Sequence, residues 1–262
     1  LGNLVKATRF GYVIRAHHGT RALTFDEQRN AYASTFVDLS EPRWEFMNTL
    51  FSLSEASLFA QLVDRLDAGQ LPQTLGYREL HRVLRSALDE AHSLGRLKSR
   101  ISANPDRFVE LDPEAPLTLL DQKAAGKRLL LVTNSDWGYT RAMMAHAFDR
   151  FLPGDMSWRE LFDLVIVSAR KPDFFDRPAP VYEVVSDDGL LRPCPTGIVR
   201  DGVYAGGHAG MVETYLGLDS TDFLFVGDHV YADVHVSKRV RRWRTALILR
   251  ELEDELAALE RF

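Results

Sequence analysis

Polar and apolar residues alternate across positions 2–17, around Arg9-Phe10-Gly11. That is the two-residue period of a strand folding back on itself, so the chain is expected to open on a β-hairpin. From Thr24 to about Ile101 the apolar spacing lengthens to three and four, which predicts helices, most clearly over 55–67 and 77–94. Pro105, Pro113 and Pro116 then interrupt the pattern and mark a boundary. Beyond it, short apolar runs at 128–132, 163–167, 223–226 and 245–249 read as strands, with helices near 139–148 and after the third run. Such interleaving predicts a parallel sheet covered on both faces. Positions 202–207 and the Asp187-Asp188-Gly189 turn are assigned to a long irregular excursion between the second and third strands. The expected organisation is a hairpin at 1–23, a mainly helical cap at 24–112 and an α/β core at 113–262.

Composition sets limits on function. The 262 residues are 45% hydrophobic and 26% charged, with a formal net charge of −5. The apolar content suffices for a sizeable core, and the balance gives no global attraction to nucleic acid or anionic lipid. The one basic run, Lys238, Arg239, Arg241, Arg242 and Arg244, is expected to be a solvated helix end. A nucleic-acid role for that run would bring a steep salt dependence. No apolar run approaches the roughly 20 residues of a membrane span. Cys194 is the only cysteine, which excludes an intrachain disulfide and a cysteine-based zinc site and fits a cytoplasmic location. The opening Leu1-Gly2-Asn3-Leu4 carries neither an initiator methionine nor a signal-peptide pattern, and a longer parent polypeptide is expected.

Ligands of a parallel sheet bind beyond the carboxyl ends of its strands, so the residues after each apolar run matter most. They are Thr133, Asn134 and Ser135 after the first, Arg170 and Lys171 after the second, and Gly227, Asp228 and His229 after the third, with Asp233 five positions beyond Asp228. Each alone has a plainer reading: helix capping for Thr-Asn-Ser, a solvated lysine, a Gly-Asp turn, a helix-start aspartate. Together they deliver hydroxyls, an amide, a cation and two carboxylates to one rim. That set suits a phosphate bound beside a hard, oxygen-seeking cation such as Mg²⁺. In the helical region Arg85, Asp89 and His92 stand at i, i+4 and i+7 and share one face, with Lys98 following. On spacing alone that face reads as solvated, with an Arg85–Asp89 ion pair.

The order resembles the haloacid dehalogenase (HAD) superfamily, whose second, third and fourth motifs match the strand ending at Thr133, Lys171, and Gly227-Asp228 with Asp233. Within it, Thr133-Asn134-Ser135-Asp136, Ala169-Arg170-Lys171-Pro172, Gly227-Asp228-His229 and Trp243-Arg244-Thr245 are similar to the cytosolic purine 5′-nucleotidase (IMP–GMP-specific) family. Asn48-Thr49-Leu50-Phe51 and Leu62-Val63-Asp64 extend the likeness to the helical segment, so that it covers nearly the whole chain. The resemblance implies a HAD-type, Rossmann-like parallel-sheet core with a helical cap. It also implies a cytoplasmic homo-oligomer that hydrolyses purine nucleoside monophosphates with Mg²⁺ through an aspartyl-phosphate. By the same resemblance Thr133, Lys171 and Asp233 act in catalysis and Asp228 ligates the metal. Asn134, Ser135, Arg85, Asp89, His92 and Lys98 bind substrate.

The superfamily's first motif, a strand ending in Asp-x-Asp, has no counterpart here. Asp64 and Asp67 are spaced wrongly, Asp187-Asp188-Gly189 is a turn, and Asp219 and Asp222 precede a strand. In the family the first motif lies upstream of the opening hairpin and supplies the nucleophile, so the chain by itself is expected to be inactive. A non-catalytic nucleotide-binding module or scaffold is the alternative from another class.

Overall fold

In the computed structural model, which describes residues 2–38, 41, 43–47, 50–72, 74–93 and 95–261, the chain divides into two units, 1–99 and 100–262. Asn48 and Thr49 of one family-like motif, and Leu94 at the end of the expected 77–94 helix, lie outside the described residues.

The alternation at the start of the first unit becomes antiparallel β1 (Asn3–Ala7) and β2 (Val13–His18). A two-residue β3 (Arg21–Ala22) adds a third strand that the period did not reveal. The β2–β3 turn sits hard against the helix behind it. At Gly19, with φ at 56°, a Cβ would fall 1.8 Å from Asp64 Oδ1. The Thr20 hydroxyl donates to Asp64 Oδ2 at 2.6 Å. Only glycine permits this approach. Helix α1 (Phe25–Tyr32) starts at a Thr24–Glu27 capping box. Helices α2 (Leu50–Asp67) and α3 (Tyr77–Ser93) follow, and bury Phe59, Val63, Leu80 and Leu84 between them. His18 lies between Asn3 Oδ1 at 2.6 Å and Asp67 Oδ2 at 2.7 Å, and the Tyr77 hydroxyl donates to Asp67 Oδ1 at 2.8 Å, so one polar chain ties β1, β2, α2 and α3. Helix α4 (Arg96–Ala103) carries the chain across the unit boundary.

The second unit begins with α5 (Pro105–Phe108) and α6 (Glu114–Ala124). Its main sheet has the order β4-β5-β8-β6-β7. β4 (Leu130–Val132), β5 (Leu164–Val167) and β8 (Gly202–Gly206) are parallel, whereas β6 (Val181–Val184) is antiparallel to both β8 and β7 (Leu191–Pro193). Two expectations are corrected here. The sheet is mixed rather than parallel throughout. The supposed excursion at 202–207 holds a central strand, whose core Val203-Tyr204-Ala205 is only three residues long between glycines.

Strands β9 (Leu224–Gly227) and β10 (Arg244–Leu247) form a separate parallel pair. Helices α7 (Trp137–Phe148), α8 (Asp173–Asp176), α9 (Ala209–Leu216) and α10 (Glu253–Glu260) complete the unit. After β9 the expected helix is wound with π pitch over Val230–His235 and Ser237–Arg241. The basic run is not simply solvated. Arg241 Nε donates to the Phe175 carbonyl at 2.7 Å, and Arg244 Nε to the Thr221 carbonyl at 3.0 Å. No described helix is long and apolar enough to cross a membrane.

Every residue of β5 is buried. One face packs Leu164 and Ile166 against Phe174, Phe175, Phe223 and Trp243, and the other packs Val165 and Val167 against Trp158 and Leu161. Asp163 fixes the register of β4 beside it. Its carboxylate accepts from the Leu129 N–H at 2.8 Å and from Lys123 Nζ at 3.2 Å, with Arg128 Nε at 3.5 Å. Burial alone would raise this carboxyl. The Leu129 N–H and the Lys123 and Arg128 cations outweigh burial and hold it below the ordinary carboxylate range. A lowered folded-state pKa stabilises above the unfolded value of about 4 and ceases to do so as pH falls through the folded one. Asp163→Asn is therefore expected to lower unfolding free energy by a constant amount above about pH 5, the gap to wild type closing in acid. Urea titrations of both proteins at stepped pH check this.

Candidate functional site

The carboxyl ends of β4, β5 and β9 carry the polar cluster. After β4, the Thr133 N–H extends the ladder to the Ile166 carbonyl at 2.9 Å, and the Thr133 carbonyl accepts from the Ala169 N–H at 3.0 Å. The Ser168 N–H donates to the Ser135 carbonyl at 2.8 Å, so the loops after β4 and β5 are zipped together. Thr133 Oγ1 accepts from the Ser135 N–H at 3.1 Å, and Asp136 caps α7 by accepting from the Tyr139 N–H at 2.9 Å.

Asn134 clasps the backbone of Lys171. Its Oδ1 accepts from the Lys171 N–H at 2.6 Å, and its Nδ2 donates to the Lys171 carbonyl at 3.0 Å. Presenting both groups to one amide bends the chain sharply. Ser168 and Arg170 stand in the left-handed region at φ 48° and 60°, an uncommon conformation for residues with side chains. The amide reserved on sequence grounds for substrate thus spends both polar ends on the lysine's main chain.

Lys171 Nζ lies 2.9 Å from Asp233 Oδ1 and 5.3 Å from the centre of the Phe225 ring. The two side chains are 16% and 5% exposed, so each charge depends on the other. Asp233 Oδ2 accepts from the His229 N–H at 3.2 Å. Gly227 makes room for this carboxylate, since a Cβ there would fall 2.6 Å from Asp233 Cβ. His229 Nδ1 accepts from the Ala232 N–H at 3.0 Å and opens the π-wound segment. Asp228, between Gly227 and His229, is exposed. Thr133, Asn134, Ser135, Lys171 and Asp233 are therefore brought into one bonded network, with Asp228 at its edge. No group of three or more histidine, cysteine or acidic side chains among the described residues forms a metal cage. A hard cation would find a single exposed carboxylate in Asp228, a partial donor set that phosphate and water oxygens must complete.

The α3 residues belong to the first unit. Arg85 Nε lies 3.6 Å from Asp89 Oδ1, the ion pair expected from their spacing. Both line an open cavity of about 1660 Å³. The His92 side chain lies outside the described residues, and Lys98 is half-buried on α4. A residue that the sequence reading passed over completes this group. Glu55, 6% exposed, accepts from Arg85 Nη1 at 2.8 Å through Oε2, while its Oε1 faces His81 Nε2 at 3.0 Å. A signal was present, because Glu55 falls in line with Phe59 and Val63 on the apolar stripe of α2.

The model of the 5′ nucleotidase family matches residues 1–262. The chain belongs to the 5′-nucleotidase family. Its relatives include 5′-nucleotidase domain-containing protein 1 of Homo sapiens, 28% identical over 97% of this chain and 59% of that protein. A 5′-nucleotidase domain-containing protein of Dictyostelium discoideum is 27% identical over 92% of this chain and 41% of its own length. The chain thus spans less than two thirds of either relative.

The geometry sets two expectations for this family member. Asp233→Asn leaves the Lys171 ammonium without its counter-charge and is expected to destabilise the second unit by about 3 kcal/mol. Gly227→Ala, which keeps both charges but forces Asp233 to move, is expected to lower stability by about 1–3 kcal/mol. Urea unfolding of both variants checks the pair. Equal stability to wild type in both would show that the contact carries no weight.

Proposed function

We propose that the protein carrying this chain is a Mg²⁺-dependent hydrolase of purine nucleoside 5′-monophosphates, built on a HAD-type core. The observation behind this reading is the Lys171–Asp233 pair, clasped through Asn134 to the Thr133 loop at the carboxyl ends of parallel strands, in a chain of the 5′-nucleotidase family. Thr133 and Ser135 hold the phosphoryl oxygens, and Lys171 balances the negative charge that gathers on them as the bond to the leaving oxygen breaks. Asp233 holds the Lys171 ammonium in place. Bound at Asp228, Mg²⁺ would supply a counter-charge to the phosphate.

The nucleophile in this reading is an aspartate of an Asp-x-Asp strand contributed from outside residues 1–262. Its carboxylate oxygen attacks phosphorus, the ester bond breaks, and the second aspartate gives its proton to the departing 5′-oxygen. Water, deprotonated by that same aspartate, then attacks phosphorus and releases inorganic phosphate and the free carboxylate. The sheet edges support a strand from elsewhere. Among the described residues β4 pairs only with β5 and β9 only with β10, while Leu224 and Val226 of β9 are 62% and 54% exposed.

Phosphate release from IMP and GMP, with and without Mg²⁺, tests the proposal on this chain and on a protein extended upstream of Leu1. Activity is expected in the extended protein alone, with Lys171→Ala lowering kcat by about 10²–10³. An extended protein that carries an Asp-x-Asp strand yet leaves both nucleotides intact would favour a binding module instead.

A further inference from the structure

Glu55 is the most deeply buried carboxylate of the first unit, yet it touches two side chains of α3 that line the open cavity, His81 and Arg85. Glu55 stands behind them at 6% exposure, whereas the Arg85 side chain is 58% exposed. A purely packing role is better served by an apolar residue at 55, which would continue the Phe59–Val63 stripe without the cost of burying an ion. What the carboxylate adds is direction. It takes Arg85 Nη1 at 2.8 Å while Asp89 approaches Nε at 3.6 Å. A flexible side chain is thereby held at two corners of a planar fork, and neither contact uses Nη2.

We propose that Glu55 is a positioning residue, fixing Arg85 so that its guanidinium edge, beside Asp89, reads a neutral donor–acceptor group of the ligand. This rests on the nucleotide reading above and narrows it. Flanked by two carboxylates, Arg85 is charge-balanced and is not the group that would draw a phosphate dianion into a cavity also lined by Lys6, Arg9, Arg43, Arg78 and Arg82. A fixed donor next to a fixed acceptor instead matches a heterocycle edge that offers an acceptor and an N–H.

Calorimetric titration of the full chain with IMP, with inosine and with inorganic phosphate tests this. Glu55→Gln is expected to weaken IMP and inosine by the same factor, about tenfold, for loss of a charge-assisted contact. Phosphate binding should not change. The double variant Glu55→Gln/Arg85→Ala should bind no more weakly than Arg85→Ala alone, because Glu55 acts through Arg85. Additive losses, or Glu55→Gln binding that equals wild type, would overturn the positioning role while the nucleotide reading stands. A wild-type chain that takes up neither IMP nor inosine overturns both. Should Glu55→Gln fail to fold, Glu55→Asp replaces it, since it keeps the charge but withdraws the carboxylate by one methylene. Weakened IMP binding in that variant supports the proposal, and unchanged binding overturns it.

Discussion

The ammonium of Lys171 and the carboxylate of Asp233, 2.9 Å apart, are both largely withdrawn from water. Either charge alone in that position would cost several kcal/mol, and the pairing offsets this only when the partners are held closely. The surrounding sequence supplies the holding. Asn134 grips the lysine backbone from both sides, the Phe225 ring lies beside the ammonium, and the His229 N–H takes the second oxygen of Asp233. At Gly227 the missing side chain leaves the space that the carboxylate fills. Three loops that are distant in sequence thus share one electrostatic requirement, and the ends of β4, β5 and β9 follow from it.

That requirement also explains why so much of the second unit was legible beforehand. A strand that ends at a loop of paired polar groups shows itself as an apolar run followed by a particular polar residue, and the runs ending near Val132, Val167 and Val226 did so. β8 did not. Its strand-like core is only three residues, and the glycines at its ends carry the turn signature of a loop. The antiparallel return of β6 and β7 was equally hidden, since strand direction is set by tertiary pairing rather than by local period. The π pitch after β9 has a comparable origin, as the segment must start at His229 and still bring Asp233 back beneath Gly227.

In the first unit, period found α2 and α3 but misjudged what lies between them. Spacing placed Arg85 and Asp89 on one face and read them as a solvated pair, and the 3.6 Å contact exists. The more informative partner, Glu55, comes from another helix, where an acid among Phe59, Leu62 and Val63 looks like an interruption of the apolar stripe. Such an interruption is informative in itself. A carboxylate is expelled from a helix interface unless fixed donors meet it, and His81 and Arg85 are those donors.

The exposed face of β9 brings the electrostatic and hydrophobic sides of the second unit together. Phe225 turns inward beside Lys171, whereas its neighbours Leu224 and Val226 face outward, 62% and 54% exposed. Adjacent residues of one strand face opposite ways, so a β9 covered on both faces would bury all three, as β5 does. β9 also leaves one edge unpaired among the described residues, and an open strand edge is a liability that proteins ordinarily cover or charge. The β4 edge, also unpaired on one side among the described residues, rests on the same aromatic cluster as β9 through Leu130 and Val132. A strand laid along those edges would emerge at the level of Thr133 and Gly227. Lys171 and Asp228 occupy that same rim, as the proposed phosphoryl chemistry requires.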